Sequence, residues 1–323
     1  MRGDFAGAWR SGFDSFPLMN PNLIKFFRPS LIAAVVLSGA LPGAAKDVRE
    51  MARESSQSFV VGNVLPDDEI EERMIEFGKS LMKRKDAVRM KTLAKQLDRR
   101  DCELQLAAPG TNRLNAEQLI QQVRRSVLVV GSLYQCEDCK EWHLSAATGF
   151  ALTESGAFAT CYHVVDQPEH SVMVAMTDDG RMFAVREVLA ADKAHDVAIL
   201  QLDGTGFTPL PVATNALVGA PVFVVSHPSK NFYTFTSGMV ARYFVSEEDK
   251  VKTTMMSITA DFGRGSSGCP VFNESGAVVG MAESILSTTS TGKSGDVNPS
   301  LIFKHARPAD ALLKLIRSSE VLR

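Results

Sequence analysis

From Ser126 onward the chain is cut into short β-rich runs. They read SVLVVGSLY, HLSAATGFALT, GAFATCYHVV, SVMVAMT, RMFAVREVLAA and DVAILQL, and then APVFVVS, FTSGMVARYFV, KTTMMSITA, CPVFN and AVVGMAE. Glycine and aspartate clusters punctuate them. Asp178-Asp179-Gly180 is a hairpin signal, and Asn273-Glu274-Ser275-Gly276 separates two later runs. Many short strands at regular spacing predict a β-barrel or sandwich rather than a parallel α/β sheet. No internal repeat is evident in the sequence.

The region before these strands has a different character. Between Asp67 and Arg100 it is charged and helical, with Ile70, Met74, Phe77 and Leu81 forming one apolar stripe that Met90, Leu93 and Leu97 resume. Pro66 and Asp67 mark its start. A solvated helix docked on the main domain, a pro-region or an oligomer contact would each use such a stripe. APGTN, Ala108 to Asn112, reads as a linker. A short helix follows, with Asn115 as N-cap and Gln118 completing a capping box, burying Leu119, Ile120 and Val123. Ala306 to Arg317 reads as a terminal helix with Ala311, Leu312 and Leu315 on one face.

The first 45 residues carry an export pattern. Lys25 and Arg28 precede an apolar run from Leu31 to Leu41, and small residues end at Ala45. Gly43 and Ala45 suit the −3 and −1 cleavage positions, which makes Lys46 the first mature residue. Asp4 and Asp14 dilute the basic flank, so Met19 offers an alternative start. The run is short for a bilayer span. The expectation is a signal peptide over 1–45, a helical region and linker over 46–114, and a main β-rich domain over 115–323. The protein is then periplasmic or extracellular, with no stable membrane span after cleavage. Apolar content of 45% and charged content of 22% are those of an ordinary globular protein. A net charge of −2, with both signs interspersed, argues against nucleic acid as a partner.

The chemistry centres on GRGSSGCP, Gly263 to Pro270. A serine hydroxyl becomes a nucleophile only with a base to take its proton and donors to hold the oxyanion. Glycines let the backbone turn its N–H groups toward a reacting carbon. His163 ends an apolar strand in FATCYHVVD, and Asp196 opens DVAILQL. Each residue alone has an ordinary structural explanation. The order His163, Asp196, Ser267 is what gives them joint meaning.

Together, ATGFALTESGAFATCYHVV, HDVAILQL and GSSGCPVFNESGAVVGM resemble the chymotrypsin-like serine peptidases, above all the bacterial HtrA type with its T-G-F, T-x-x-H-V, D-x-A-x-L and G-x-S-G-G-P patterns. SGMV and SLIFKHARPADALLKLI resemble that family's inner strand, closing strand and terminal helix, so the likeness runs from about Ser126 to Ile316. It implies an all-β core of two antiparallel six-stranded barrels, with an amino-terminal helical region and a carboxy-terminal helix. It implies Ser267 as nucleophile, His163 as base and Asp196 as orienting acid, with the Gly265 and Ser267 N–H groups as oxyanion hole. Ser266 falls in the supporting position, and His195 is read as a surface residue. Substrates are proteins or peptides and no cofactor is expected. The chain is too short for a PDZ domain after the barrels, and the helical region is free to gate or to oligomerise the enzyme. A non-catalytic, protease-like binding or chaperone-type module is the alternative.

The sequence departs from the family at its cysteines. Cys269 replaces the second glycine of the serine motif, and Cys161 lies two residues before His163, so a Cys161–Cys269 disulfide is one expectation and two free buried thiols the other. Export permits disulfides, and Cys136 and Cys139 suggest a local one. With His143 they also supply three of the ligands zinc takes, but no second CxxC completes the set and no metal centre is assigned. Cys102 leaves the cysteine count odd. Asp261, six residues before Ser267, stands where trypsin-like enzymes place the acid that selects a basic P1 residue.

Overall fold

A computed structural model describes residues 64–214, 216–248, 250–291 and 297–317. The export pattern and its cleavage site lie outside these residues. The first helix, α1 (Asp67–Met82), starts with three acidic residues at its positive end, Asp67, Asp68 and Glu69. Its stripe of Ile70, Met74, Phe77 and Leu81 is buried in the same apolar cluster as Leu133, Val172 and Val174 of the following domain. A short helix, α2 (Met90–Ala94), adds Met90 and Leu93, which with Leu97 enter a second cluster beside Leu128 and Val130. The chain then forms β1 (Cys102–Glu103) and α3 (Ala116–Val123). The Asn115–Gln118 capping box is present in full. Leu119 and Val123 are buried, and Ile120 is half-buried.

Six strands follow: β2 (Val127–Gln135), β3 (Trp142–Ala151), β4 (Ala157–Thr160), β5 (Met173–Met176), β6 (Met182–Asp192) and β7 (Val197–Leu202). A four-residue helix, α4 (Tyr162–Val165), lies between β4 and β5. The strands close into a barrel in the order β2-β3-β4-β7-β6-β5. The second barrel uses β8 (Pro221–Ser226), β9 (Thr234–Glu248), β10 (Val251–Ile258), β11 (Pro270–Phe272), β12 (Val278–Thr291) and β13 (Val297–Pro308). Its order, β8-β9-β10-β13-β12-β11, repeats that of the first. The expected pair of antiparallel six-stranded barrels is therefore present, with a topological duplication that residue identities do not display.

The terminal segment corrects one expectation. Helix does not run from Ala306 to Arg317. Residues 306–308 complete β13 by pairing with β12, and only α5 (Asp310–Leu313) is helical. Ala311, Leu312 and Leu315 are buried as the spacing predicts. The chain then forms β14 (Ile316–Arg317), which pairs in parallel with β1 and clasps the amino-terminal arm. Further bonds fix this arm. Met90 N–H donates to Ser171 O at 3.1 Å, and Arg99 Nη1 reaches Glu187 Oε2 at 2.7 Å. Among the described residues, no helix is long and apolar enough to cross a membrane.

The barrels share buried contacts. His227, just after β8, is fully buried; its Nε2–H donates to Leu128 O of β2 at 3.1 Å, and its Nδ1 accepts from Tyr233 N–H at 3.0 Å. Both ring nitrogens are satisfied only in the neutral form. Burial accordingly drives the pKa of His227 from 6.5 down to about 3.

Two outcomes follow for stability. Truncating Met74 to alanine leaves a cavity between α1 and the first barrel and lowers the unfolding free energy by about 2–5 kcal/mol, measured by denaturant titration. For His227 the unfolded state takes up a proton that the folded state refuses. Its contribution is therefore complete above the unfolded pKa of 6.5 and is lost as pH falls toward 3. The slope of stability against pH in that window becomes shallower in His227→Gln.

Candidate active site

The serine loop lies between β10 and β11 and is held by its two serines in different ways. Ser266 is fully buried; its hydroxyl donates to Ser226 Oγ at 3.0 Å and accepts from Gly263 N–H at 3.2 Å. Ser267 is half-exposed, and its Oγ lies 3.0 Å from His163 Nε2. Only the second serine is thus within reach of the histidine. The glycines on either side are compelled by space. At Gly268 (φ +86°) an added Cβ would stand 2.3 Å from Thr148 O, and at Gly265 (φ +94°) 2.6 Å from His227 O.

His163 sits in α4, directly after β4, and Asp196 grips it from two sides. Its Nδ1 is 2.7 Å from Asp196 Oδ2, and its backbone N–H donates to Oδ1 at 2.9 Å. Asp196 enters β7 with φ +51°, a left-handed conformation that aspartate tolerates better than most residues. The structure therefore brings Ser267, His163 and Asp196 into one hydrogen-bonded chain. Two barrels supply it: the first carries the histidine and aspartate, the second the serine.

Donors also converge on this loop. The N–H groups of Ser266, Gly268 and Cys269 are used internally, by Gly263 O, Ala282 O and Ser266 O. Among the described residues, the N–H groups of Gly265 and Ser267 have no acceptor. The loop itself is stitched to the first barrel, since Thr148 N–H donates to Ser267 O and Thr148 Oγ1 to Gly265 O, both at 3.0 Å.

Glu283 and Arg307 are site residues that the sequence reading missed. Glu283 occupies a β-bulge where the β12–β13 register shifts between Ala282 and Ser284, which turns its side chain toward the histidine and aspartate. Arg307 Nε lies 2.5 Å from Glu283 Oε2, off the hydrogen-bonding direction, while its Nη2 donates to Oε1 at 3.1 Å and its Nη1 to Thr253 Oγ1 at 2.6 Å. Burial raises the pKa of Glu283, Arg307 opposes that, and Asp196 adds to it. Both residues line an open cleft of about 330 Å³ together with His163, Gln167 and Lys193. Burial alone would lower the pKa of His163, but hydrogen bonding and charge from Asp196, with a further contribution from Glu283, leave it raised.

The other expected residues fall as follows. Asp261 is exposed, and its carboxylate is 2.7 Å from Lys304 Nζ, which also donates to Phe262 O. His195 is half-buried rather than a free surface residue, because its Nδ1 bonds Asp192 Oδ2 at 2.6 Å. All five cysteines are free thiols. The Cys161–Cys269 disulfide is not formed. Both thiols are fully buried, Cys161 Sγ donates to Ala282 O at 3.4 Å, and burial pushes both pKa values upward. A Cys136–Cys139 bridge is not formed either, since Cys139 Sγ turns to His143 Nε2 at 3.1 Å.

Two six-stranded barrels with a serine–histidine–aspartate chain drawn from both define the chymotrypsin-like class of serine peptidase fold. Residues 147–281 match the family model of the trypsin-like peptidase domain. A probable periplasmic serine endoprotease, DegP-like, from Halomonas elongata is 28% identical over 153 residues, covering 47% of this chain and 31% of the relative. A protein of the same description from Pseudomonas savastanoi pv. phaseolicola is 30% identical over 146 residues, covering 44% and 29%. The anti-sigma-I factor RsgI9 of Acetivibrio thermocellus is 31% identical over 142 residues, covering 43% and 19%. The chain thus spans less than a third of the length of these relatives.

The acid limb of a kcat/KM profile reports the base in the free enzyme. Removing the Glu283 charge takes away one influence that holds the His163 pKa up, and the unpaired Arg307 cation lowers it further. In Glu283→Gln the acid limb therefore moves to lower pH, as read from peptide hydrolysis between mildly acidic and neutral pH.

Proposed function

We propose that the chain is a serine endopeptidase that cleaves peptide bonds through an acyl-enzyme. The observation that carries this reading is the Ser267–His163–Asp196 chain, with links of 3.0 and 2.7 Å, on a half-exposed serine. His163 takes the Ser267 proton as the oxygen attacks the carbonyl carbon, and returns it to the leaving amine. Asp196 holds the imidazole tautomer and stabilises the imidazolium. The free N–H groups of Gly265 and Ser267 receive the oxyanion. Water then attacks the acyl-enzyme by the same route in reverse.

The Asp261 charge is offset by Lys304. This pairing favours an uncharged P1 residue over a basic one, even though Asp261 stands at the position of a trypsin-like specificity acid. Export to the periplasm or the extracellular space fits the amino-terminal pattern of the sequence and the periplasmic character named for the DegP-like relatives.

A fluorophosphonate active-site probe tests the mechanism. Labelling is expected for the wild type and for Ser266→Ala, and is lost in Ser267→Ala, with peptidase turnover reduced by at least roughly 10⁴-fold. A folded wild type that takes no label would instead point to the protease-like binding module.

A further inference from the structure

The hairpin between β2 and β3 brings together a group of side chains that the peptidase reaction does not use. Its tip runs Cys136-Glu137-Asp138-Cys139-Lys140-Glu141 and is closed by two backbone bonds, Lys140 N–H to Cys136 O at 3.0 Å and Cys136 N–H to Glu141 O at 2.9 Å. Lys140 takes φ +61° to complete the turn. Strand pairing sets Tyr134 opposite His143 and Gln135 opposite Trp142. That register carries His143 back beneath the tip, and Cys139 Sγ lies 3.1 Å from His143 Nε2. The Cys136 and Cys139 sulfurs and a His143 ring nitrogen all fall within 4.8 Å of one another.

We propose that Cys136, Cys139 and His143 form a metal site for a thiophilic divalent ion, zinc by preference, with the fourth position left to water. Zinc bond lengths of about 2.0–2.3 Å in a tetrahedron put ligand atoms roughly 3.5–3.8 Å apart. The cluster needs only small side-chain adjustments to meet that spacing. Two thiolates and an imidazole are a donor set that suits zinc and disfavours magnesium or calcium. Binding releases the two thiol protons to solvent, so the site as a whole gains no net charge from the ion.

The histidine is also held in place. Its ring stacks on Tyr134, with centroids 5.6 Å apart and planes at 29°. Tyr134 stacks in turn on His170 at 5.0 Å, and His170 Nδ1 is fixed by Ser132 Oγ at 2.7 Å. This column orients His143 before any ion arrives, the role that outer-shell partners play in metal sites. A local disulfide would use the same two cysteines but would leave His143 without a function.

The test uses the reduced full chain, stripped with a chelator and titrated with cobalt(II) and then zinc. Support is one ion per chain, an intense thiolate-to-cobalt absorption band bleached by zinc, and loss of at least roughly 100-fold in affinity in both Cys139→Ser and His143→Ala. Circular dichroism confirms that these tip variants fold. Failure of the reduced chain to bind cobalt or zinc, or binding that both variants retain, overturns the proposal. A Cys136–Cys139 disulfide, found by thiol-blocking mass mapping of protein taken from its native host, overturns it equally.

Discussion

The site depends on how firmly the serine loop is held against the opposite barrel. Thr148 does this twice, giving its N–H to Ser267 O and its hydroxyl to Gly265 O. Ser267 belongs to one barrel and His163 to the other, so an error in how the barrels dock becomes an error in the Ser267–His163 distance. Because proton transfer between them needs hydrogen-bond reach, the seam has to be set to within a few tenths of an ångström. The backbone at Gly268 closes against Thr148 O and Thr160 so tightly that any side chain would push it open. His227 adds a buried link between the barrels at Leu128, and Cys161 another at Ala282.

The amino-terminal arm contributes to the same end from outside. Its stripe enters the core of the first barrel, while Asp67 accepts the Phe232 N–H and Glu71 pairs with Lys230 at 2.5 Å, both on the loop after β8. The arm therefore touches both halves of the seam. Of the uses its stripe suggested, docking on the main domain is the one the packing displays.

What the sequence revealed depended on the range of the interaction behind each feature. The Asn115–Gln118 box and the Ile70–Leu81 stripe are set within one helix and could be read directly. Ser267, His163 and Asp196 each sit at a strand boundary with local punctuation, and their order linked them. Glu283 and Arg307 gave no such signal. They meet only because β12 and β13 pair and one residue bulges out, and register is not visible in either strand alone. At residues 306–308 helical spacing pointed one way and a waiting strand partner the other, and the ladder prevailed. The repeated strand order was hidden because equivalent strands differ in length, four residues in β4 against eight in β10 and ten in β3 against fifteen in β9. Cysteine pairing was equally hidden, since it turns on distances that only the packed seam defines.

Cys161 and Cys269 turn the seam into its own recorder. Both thiols are fully buried, Cys161 at the seam and Cys269 in the second-barrel core behind it, and their burial keeps them protonated and unreactive. A reagent reaches them only during an excursion that parts the packed surfaces. The same excursion carries Ser267 away from His163. The rate at which these two sulfurs become accessible is therefore a clock for how often the Ser267–His163 contact comes apart, kept by residues outside that hydrogen-bonded chain.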